Sequence, residues 1–154
     1  MVNRLIHCCL LFVSLLLPLH AGAEEAIAVT TSTVKLELSG LRGATGNVYI
    51  AVYDSDDTWL GDATVQQHKV AIADALDGEL VLVELQLPPG EYAVSVYYDR
   101  NNNGELDTNF IGIPKEPVAL SNNARPKFGP PKYKDAVFTL TSEPLVQRIS
   151  IEVI

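Results

Sequence analysis

Thiol chemistry is almost missing from this chain: 154 residues hold two cysteines, adjacent at Cys8 and Cys9. Basic charge is scarce too, with 11 Lys and Arg against 19 Asp and Glu and a formal net charge of −8. That balance excludes nonspecific nucleic-acid binding, which needs a basic surface to displace counterions from phosphates. Histidine occurs three times and tryptophan once. Neither a G-x-S-x-G nor an H-E-x-x-H sequence occurs, so serine-hydrolase and zinc-protease chemistry have no recognisable starting point. An apolar run long enough to span a bilayer is also lacking. The longest, Leu5 to Leu19, has 15 residues, short of the ~20 that a transmembrane helix needs.

That run has another reading. Arg4 precedes it, and Ala21 and Ala23 follow it. A positive start, a short apolar stretch and small residues form a secretory signal peptide over residues 1–23, cleaved after Ala23. Cleavage leaves 131 residues starting at Glu24, with no cysteine and with His68 as the one histidine. The loss of Arg4 takes the charge to −9. The expectation is a periplasmic or extracellular protein, without a transmembrane anchor after cleavage, that forms no disulfide where disulfides are permitted.

Residues 24–32 lack periodicity and read as a flexible lead. From there on, alternation with period two dominates. It covers Val34–Leu38, Val48–Val52, Val81–Leu87, Tyr92–Tyr98, Ala136–Leu140 and Ile149–Val153, with a weaker run at Gln66–Ala73. Turn formers separate the runs: Thr45-Gly46-Asn47, Asp77-Gly78 and Pro88-Pro89-Gly90. About seven short strands so punctuated predict a single all-β domain over residues 33–154, an antiparallel β-sandwich of immunoglobulin-like or transthyretin-like type. A short helix is allowed within Asp62–Ala75.

One connection breaks the pattern. Arg100 to Lys134 spans 35 residues with little alternation, far beyond the ~12–15 usual for a structureless loop. Phe110, Ile111, Ile113, Phe128 and Tyr133 make it too apolar for disorder, so an ordered, packed loop is expected there.

The connection opens on D-R-N-N-N-G-E-L-D, Asp99 to Asp107. Counted from Asp99, side-chain oxygens stand at positions 1, 3, 5 and 9: Asp99, Asn101, Asn103 and Asp107. Gly104 takes position 6, and Glu105 at position 7 would offer its carbonyl. This is the first part of an EF-hand calcium loop, in which odd-numbered oxygens converge on one hard cation. Position 12 is Phe110 rather than a bidentate glutamate, and no helices flank the loop, so an EF-hand is excluded. A calcium ion here would need a further carboxylate, with Asp54, Asp56 and Asp57 as candidates. Asn, Asp and Gly also build plain turns, and the sequence leaves metal loop and turn open.

Thr108 to Lys134 carries Lys115, Arg125, Lys127, Lys132 and Lys134 against Glu116 alone, a local charge of +4 against −13 in the rest of the exported chain. Asn109, Asn122, Asn123 and Arg125 are candidates for a ligand surface, with Trp59, Tyr97 and Phe128 as stacking faces.

Three blocks of sequence, L-P-P-G-E-Y-A-V from Leu87, D-R-N-N-N-G-E-L-D-T-N-F-I-G-I-P-K-E from Asp99 and S-N-N-A-R-P-K-F-G-P-P-K-Y-K-D-A from Ser121, resemble the bacterial exported family called domain of unknown function 2141. L-S-G-L-R-G-A-T-G-N-V-Y-I-A-V-Y from Leu38 fits as well. The resemblance implies an exported, sandwich-like single domain without settled catalytic residues. The L-P-P-G-x-Y turn is shared more loosely with transthyretin-like and collagen-adhesin-type sandwiches.

Three functions stay open. The first is a non-enzymatic binding module, supported by Ca²⁺ in the acidic loop, for an extracytoplasmic glycan, peptide or protein. The second is a hydrolase using paired carboxylates such as Asp54 and Asp99. The third is a structural envelope protein without metal.

Overall fold

The computed structural model describes residues 30–126 and 129–152. Residues 1–23, read above as a signal peptide, most of the expected lead, Lys127, Phe128, Val153 and Ile154 lie outside the described residues.

Nine strands form two sheets: β1 (Ser32–Ser39), β2 (Asn47–Tyr53), β3 (Gln66–Ala71), β4 (Leu76–Asp77), β5 (Leu80–Leu87), β6 (Gly90–Asp99), β7 (Val118–Leu120), β8 (Phe138–Leu140) and β9 (Leu145–Ser150). One sheet runs β4-β5-β1-β9 and the other β3-β2-β6-β7, with β8 also paired to β6. The expected all-β sandwich is therefore present. The strands beyond the seven expected are short: β4 has two residues and β7 three. One pair departs from the antiparallel expectation, because β1 and β9 run parallel, with Val34 opposite Leu145. Alternation cannot reveal this, since period two places the same side chains inward for either strand direction.

The inward faces build the core. Val34, Leu36 and Leu38 of β1, Val48, Ile50 and Val52 of β2, Leu85 and Leu87 of β5, and Val94 and Val96 of β6 are all buried. Full burial of such a side chain stabilises by about 1.5–3 kcal/mol, and this set holds the two sheets together without a disulfide. Gly40 turns the chain out of β1 at φ +88°, where an added Cβ would lie 2.0 Å from the Ile151 carbonyl oxygen. The last strand packs against that glycine.

Among the described residues, helix is confined to single turns, α1 (Ile72–Ala75) and α2 (Tyr133–Ala136), and a 3₁₀ turn at Ser121–Asn123. Both α turns overlap a run expected to be strand: α1 begins at Ile72 inside the Gln66–Ala73 run, and α2 ends on Ala136, the first residue of the Ala136–Leu140 run. Among the described residues no helix is long and apolar enough to cross a membrane.

The described residues of the long connection are ordered, as expected. Its second half lies on the outer face of β6, where Ala93, Leu120 and Ala136 form a second small core flanked by Trp59, Ala124 and Tyr133. Ser121 pins it there: its hydroxyl accepts the Val94 N–H at 2.9 Å and donates to the Ala136 carbonyl at 2.6 Å. β6 is thus covered on both faces at its start, while its end opens into the acidic loop.

Candidate functional site

β6 delivers Asp99 to one end of the sandwich, opposite Asn47 at the start of β2. Asp99 is fully buried, and an ionised carboxylate in such a place needs donors. The loop supplies them by curling back, so that the Gly104 N–H reaches one carboxylate oxygen at 2.9 Å and the Asn103 N–H the other at 3.2 Å. Two Asx turns continue the curl. Asn101 Oδ1 accepts the Asn103 N–H at 3.0 Å, and Asn103 Oδ1 accepts the Glu105 N–H at 2.9 Å. Gly104 at φ +84° makes the sharp turn, and Asn102, also left-handed at φ +59°, is tied to the Asn47 amide through its side chain.

The far end of the loop closes on the near end. Asp107 accepts from the amide of Asn101 at 2.6 Å and from that of Asn103 at 3.5 Å. Positions 1, 3, 5 and 9 are therefore gathered, as the spacing predicts, while Glu105 is exposed at the rim. Each asparagine carbonyl oxygen keeps a second lone pair after accepting one N–H. Both amide nitrogens face Asp107, so a cation would be met by these remaining lone pairs with the Asx turns kept. No group of three His, Cys, Asp or Glu able to bind a metal occurs among the described residues. A cation here would rest on two carboxylates and neutral oxygens.

The extra carboxylate at the loop is Glu116, and neither Asp54, Asp56 nor Asp57. Glu116 is buried, accepting the Arg100 N–H at 2.8 Å and the Asp107 N–H at 3.2 Å. The three aspartates follow Tyr53, which pairs with Ala93 at the opposite end of β6. Seven residues of strand, about 20 Å, separate the two ends. The same register removes Asp54 and Asp99 as a catalytic pair. Glu116 had a signal in the sequence, being the one acid in a segment of five cations. Asn47 had none.

Tyr97 lies beneath the loop. Its ring stacks on Tyr49 at 4.9 Å and 3°, and its hydroxyl donates to the Gly104 carbonyl at 3.3 Å. Burial, the neighbouring Tyr49 and the charges of Asp99, Glu116 and Glu105 push its pKa up to about 12. Burial is the largest cause of the rise, and the neighbouring acids add to it. Lys69 stands over the Tyr49 ring at 5.5 Å.

The other candidates fall in separate places. Asn109 builds its own turn, its side-chain oxygen accepting the Ile111 and Ile113 N–H groups at 3.0 Å each. Asn122 and Asn123 are left-handed, at φ +56° and +50°. The Asn122 amide donates to the Val137 carbonyl, while Asn123 donates to the Arg148 carbonyl and accepts the Ser150 N–H, covering the free edge of β9. Arg125 pairs with Glu152 at 2.5 Å on the surface. Asn123, Arg125 and Glu152 border a groove of about 300 Å³ between β7 and β9.

Trp59 belongs to the far end, edge-on to Tyr53 and Tyr133, with its indole N–H on the Pro131 carbonyl at 2.8 Å. It packs near Ala93, at the opposite end of β6 from Tyr97. His68 is half-buried on β3 beside Gln66. Lys115 stands by the loop, Arg125 on the flank and Tyr133, between Lys132 and Lys134, at the far end, so the described cations of the basic segment are dispersed along the sandwich.

No curated protein and no solved structure matches the chain. A family model matches residues 36–147, the span from β1 into β9 that includes the acidic loop, Glu116 and the segment over β6. The chain belongs to the family described as "Uncharacterized protein conserved in bacteria (DUF2141)".

Proposed function

We propose that this protein is an exported, non-enzymatic β-sandwich module whose Asp99–Asp107 loop takes up a calcium ion and is stiffened by it for binding an extracytoplasmic glycan, peptide or protein. One observation supports the reading above the rest. The side chains of Asp99, Asn101, Asn103 and Asp107 are drawn together in one loop, which is closed by hydrogen bonds among them and to its own backbone N–H groups. The donor set consists of hard oxygens, which suits calcium. With two carboxylates as direct ligands the affinity falls toward about 10⁻⁴–10⁻³ M, the range of extracellular modules. Export rests on the residue pattern of the first 23 positions. The separation of Asp54 from Asp99 along β6 speaks against those two carboxylates as a catalytic pair.

Terbium, a luminescent stand-in for calcium, tests the ion directly. Tyr97 and Tyr49 lie close enough to the loop to sensitise it. Titration should give tyrosine-excited terbium emission that added calcium abolishes and that Asp107→Asn reduces severalfold. Emission at the level of free terbium would remove the ion from the reading.

A further inference from the structure

Asn103 stands before Gly104, and no other asparagine in the chain is followed by glycine. That order is chemically distinctive. The backbone nitrogen after an asparagine can attack the side-chain Cγ and close a five-membered ring, an intramolecular step favoured by proximity. Glycine, having no Cβ, leaves that nitrogen unhindered and the backbone free to bend into the ring. Asn47, Asn101, Asn102, Asn109, Asn122 and Asn123 each precede a residue with a side chain.

The loop engages both reacting groups. Asn103 Oδ1 accepts the Glu105 N–H at 2.9 Å, a donor at the oxygen on which negative charge builds during the attack. The nucleophile is restrained instead, because the Gly104 N–H donates to the buried Asp99 carboxylate at 2.9 Å. Attack requires that nitrogen to leave this bond and give up its proton, so the closed loop opposes the reaction. The leaving nitrogen, Asn103 Nδ2, is itself held to Asp107 at 3.5 Å. Asn103 and Gly104 are exposed, which gives water access to the ring.

We propose that Asn103 is a self-modification site, deamidated by its own backbone at a rate set by opening of the acidic loop. The Gly104 nitrogen bonds to Asn103 Cγ, the Cγ–Nδ2 bond breaks, and ammonia leaves carrying the proton that Gly104 releases. Water then adds to one ring carbonyl and returns a proton to the Gly104 nitrogen, which leaves aspartate or isoaspartate. Neither oxidant nor cofactor enters the balance. Either product replaces the donor that Asn103 offers to Asp107 with a like charge, so the conversion is a one-way loosening of the loop. It does not depend on calcium.

The test is incubation of the folded protein in chelator at mildly alkaline pH, with the Asn103 peptide followed by mass spectrometry. Chelator keeps the result separate from the calcium reading. Conversion at Asn103 should run at least about tenfold more slowly in the folded chain than in urea. Asp99→Ala should raise the folded rate severalfold. If that variant does not fold, Asp107→Ala, at the half-buried far end of the loop, carries the same expectation. Gly104→Ala should slow the reaction in urea. Equal rates in the folded and unfolded chain overturn the proposal, since the loop would then exert no control. So does absence of conversion at Asn103 in urea, or a folded rate that neither Asp99→Ala nor Asp107→Ala raises.

Discussion

Glu116 holds Asp107 to Arg100. One oxygen of its buried carboxylate accepts the Asp107 N–H at 3.2 Å while the other takes the Arg100 N–H at 2.8 Å. A single side chain from the segment leading to β7 thereby clasps both ends of the acidic loop. Its removal leaves two N–H groups without an acceptor, at about 1–3 kcal/mol each where they are shielded from water. Glu116→Ala should lower stability by about 2–4 kcal/mol, measured as the shift in urea midpoint, and Glu116→Gln, which keeps one acceptor oxygen, by less. An Ala effect below the Gln effect would contradict the clasp.

The turn at Gly104 is as demanding. Its φ is +84°, and an added Cβ would meet the Tyr49 hydroxyl at 3.4 Å. Gly104→Ala should cost about 1–2 kcal/mol from the left-handed backbone alone. Because the same residue carries the N–H bound to Asp99, any ion affinity should fall with it.

Tyr97 gives a pH signature. Its folded pKa of about 12 exceeds the unfolded value of about 10, so above pH 10 the unfolded chain loses that proton first. Stability is then unaffected below about pH 10 and declines from there to about pH 12. Tyr53, Tyr92 and Tyr133 are also raised, each chiefly by burial, and they add to the decline. Tyr97→Phe should remove one late-titrating tyrosine from the tyrosinate absorbance curve and flatten part of the loss. An unchanged curve would place Tyr97 outside the negative potential of the loop.

Asn123 separates structural from ligand roles on the β7–β9 flank. Its side chain substitutes for a neighbouring strand by bonding the Arg148 carbonyl and the Ser150 N–H, at φ +50°. Asn123→Ala should cost about 1–2 kcal/mol from lost bonds and backbone strain. Asn123→Gly should recover the strain part. A stability change near zero for both would return Asn123 to the ligand surface.

The alternation of Val34–Leu38, Val48–Val52, Val81–Leu87 and Tyr92–Tyr98 made the sandwich and its core legible in the sequence, because period two and burial on one face are the same fact seen twice. The loop was legible through the spacing of Asp99, Asn101, Asn103, Gly104 and Asp107. What stayed hidden depends on pairing between distant segments. β2 and β6 are neighbours in the sheet but are separated in the chain by β3, β4 and β5, so nothing local told that Asn47 faces Asp99 while Asp54 lies at the other end. Glu116 comes to the loop only because β7 turns back along β6. The parallel partnership of β1 and β9 joins the two ends of the domain, where turn chemistry carries no information.

A cation completing the Asp99–Asp107 loop is tested most directly by thermal melting of the protein in calcium and in chelator. Binding to the folded state alone raises stability with ion concentration. The melting temperature should climb by several degrees between chelator and about 10 mM calcium, ten or more times the expected dissociation constant. Asp107→Asn should shrink the rise, and Asp99→Asn with Asp107→Asn should abolish it. Identical melting curves in calcium and chelator, with the wild-type protein folded in both, would contradict the account and leave the loop as a self-closed turn.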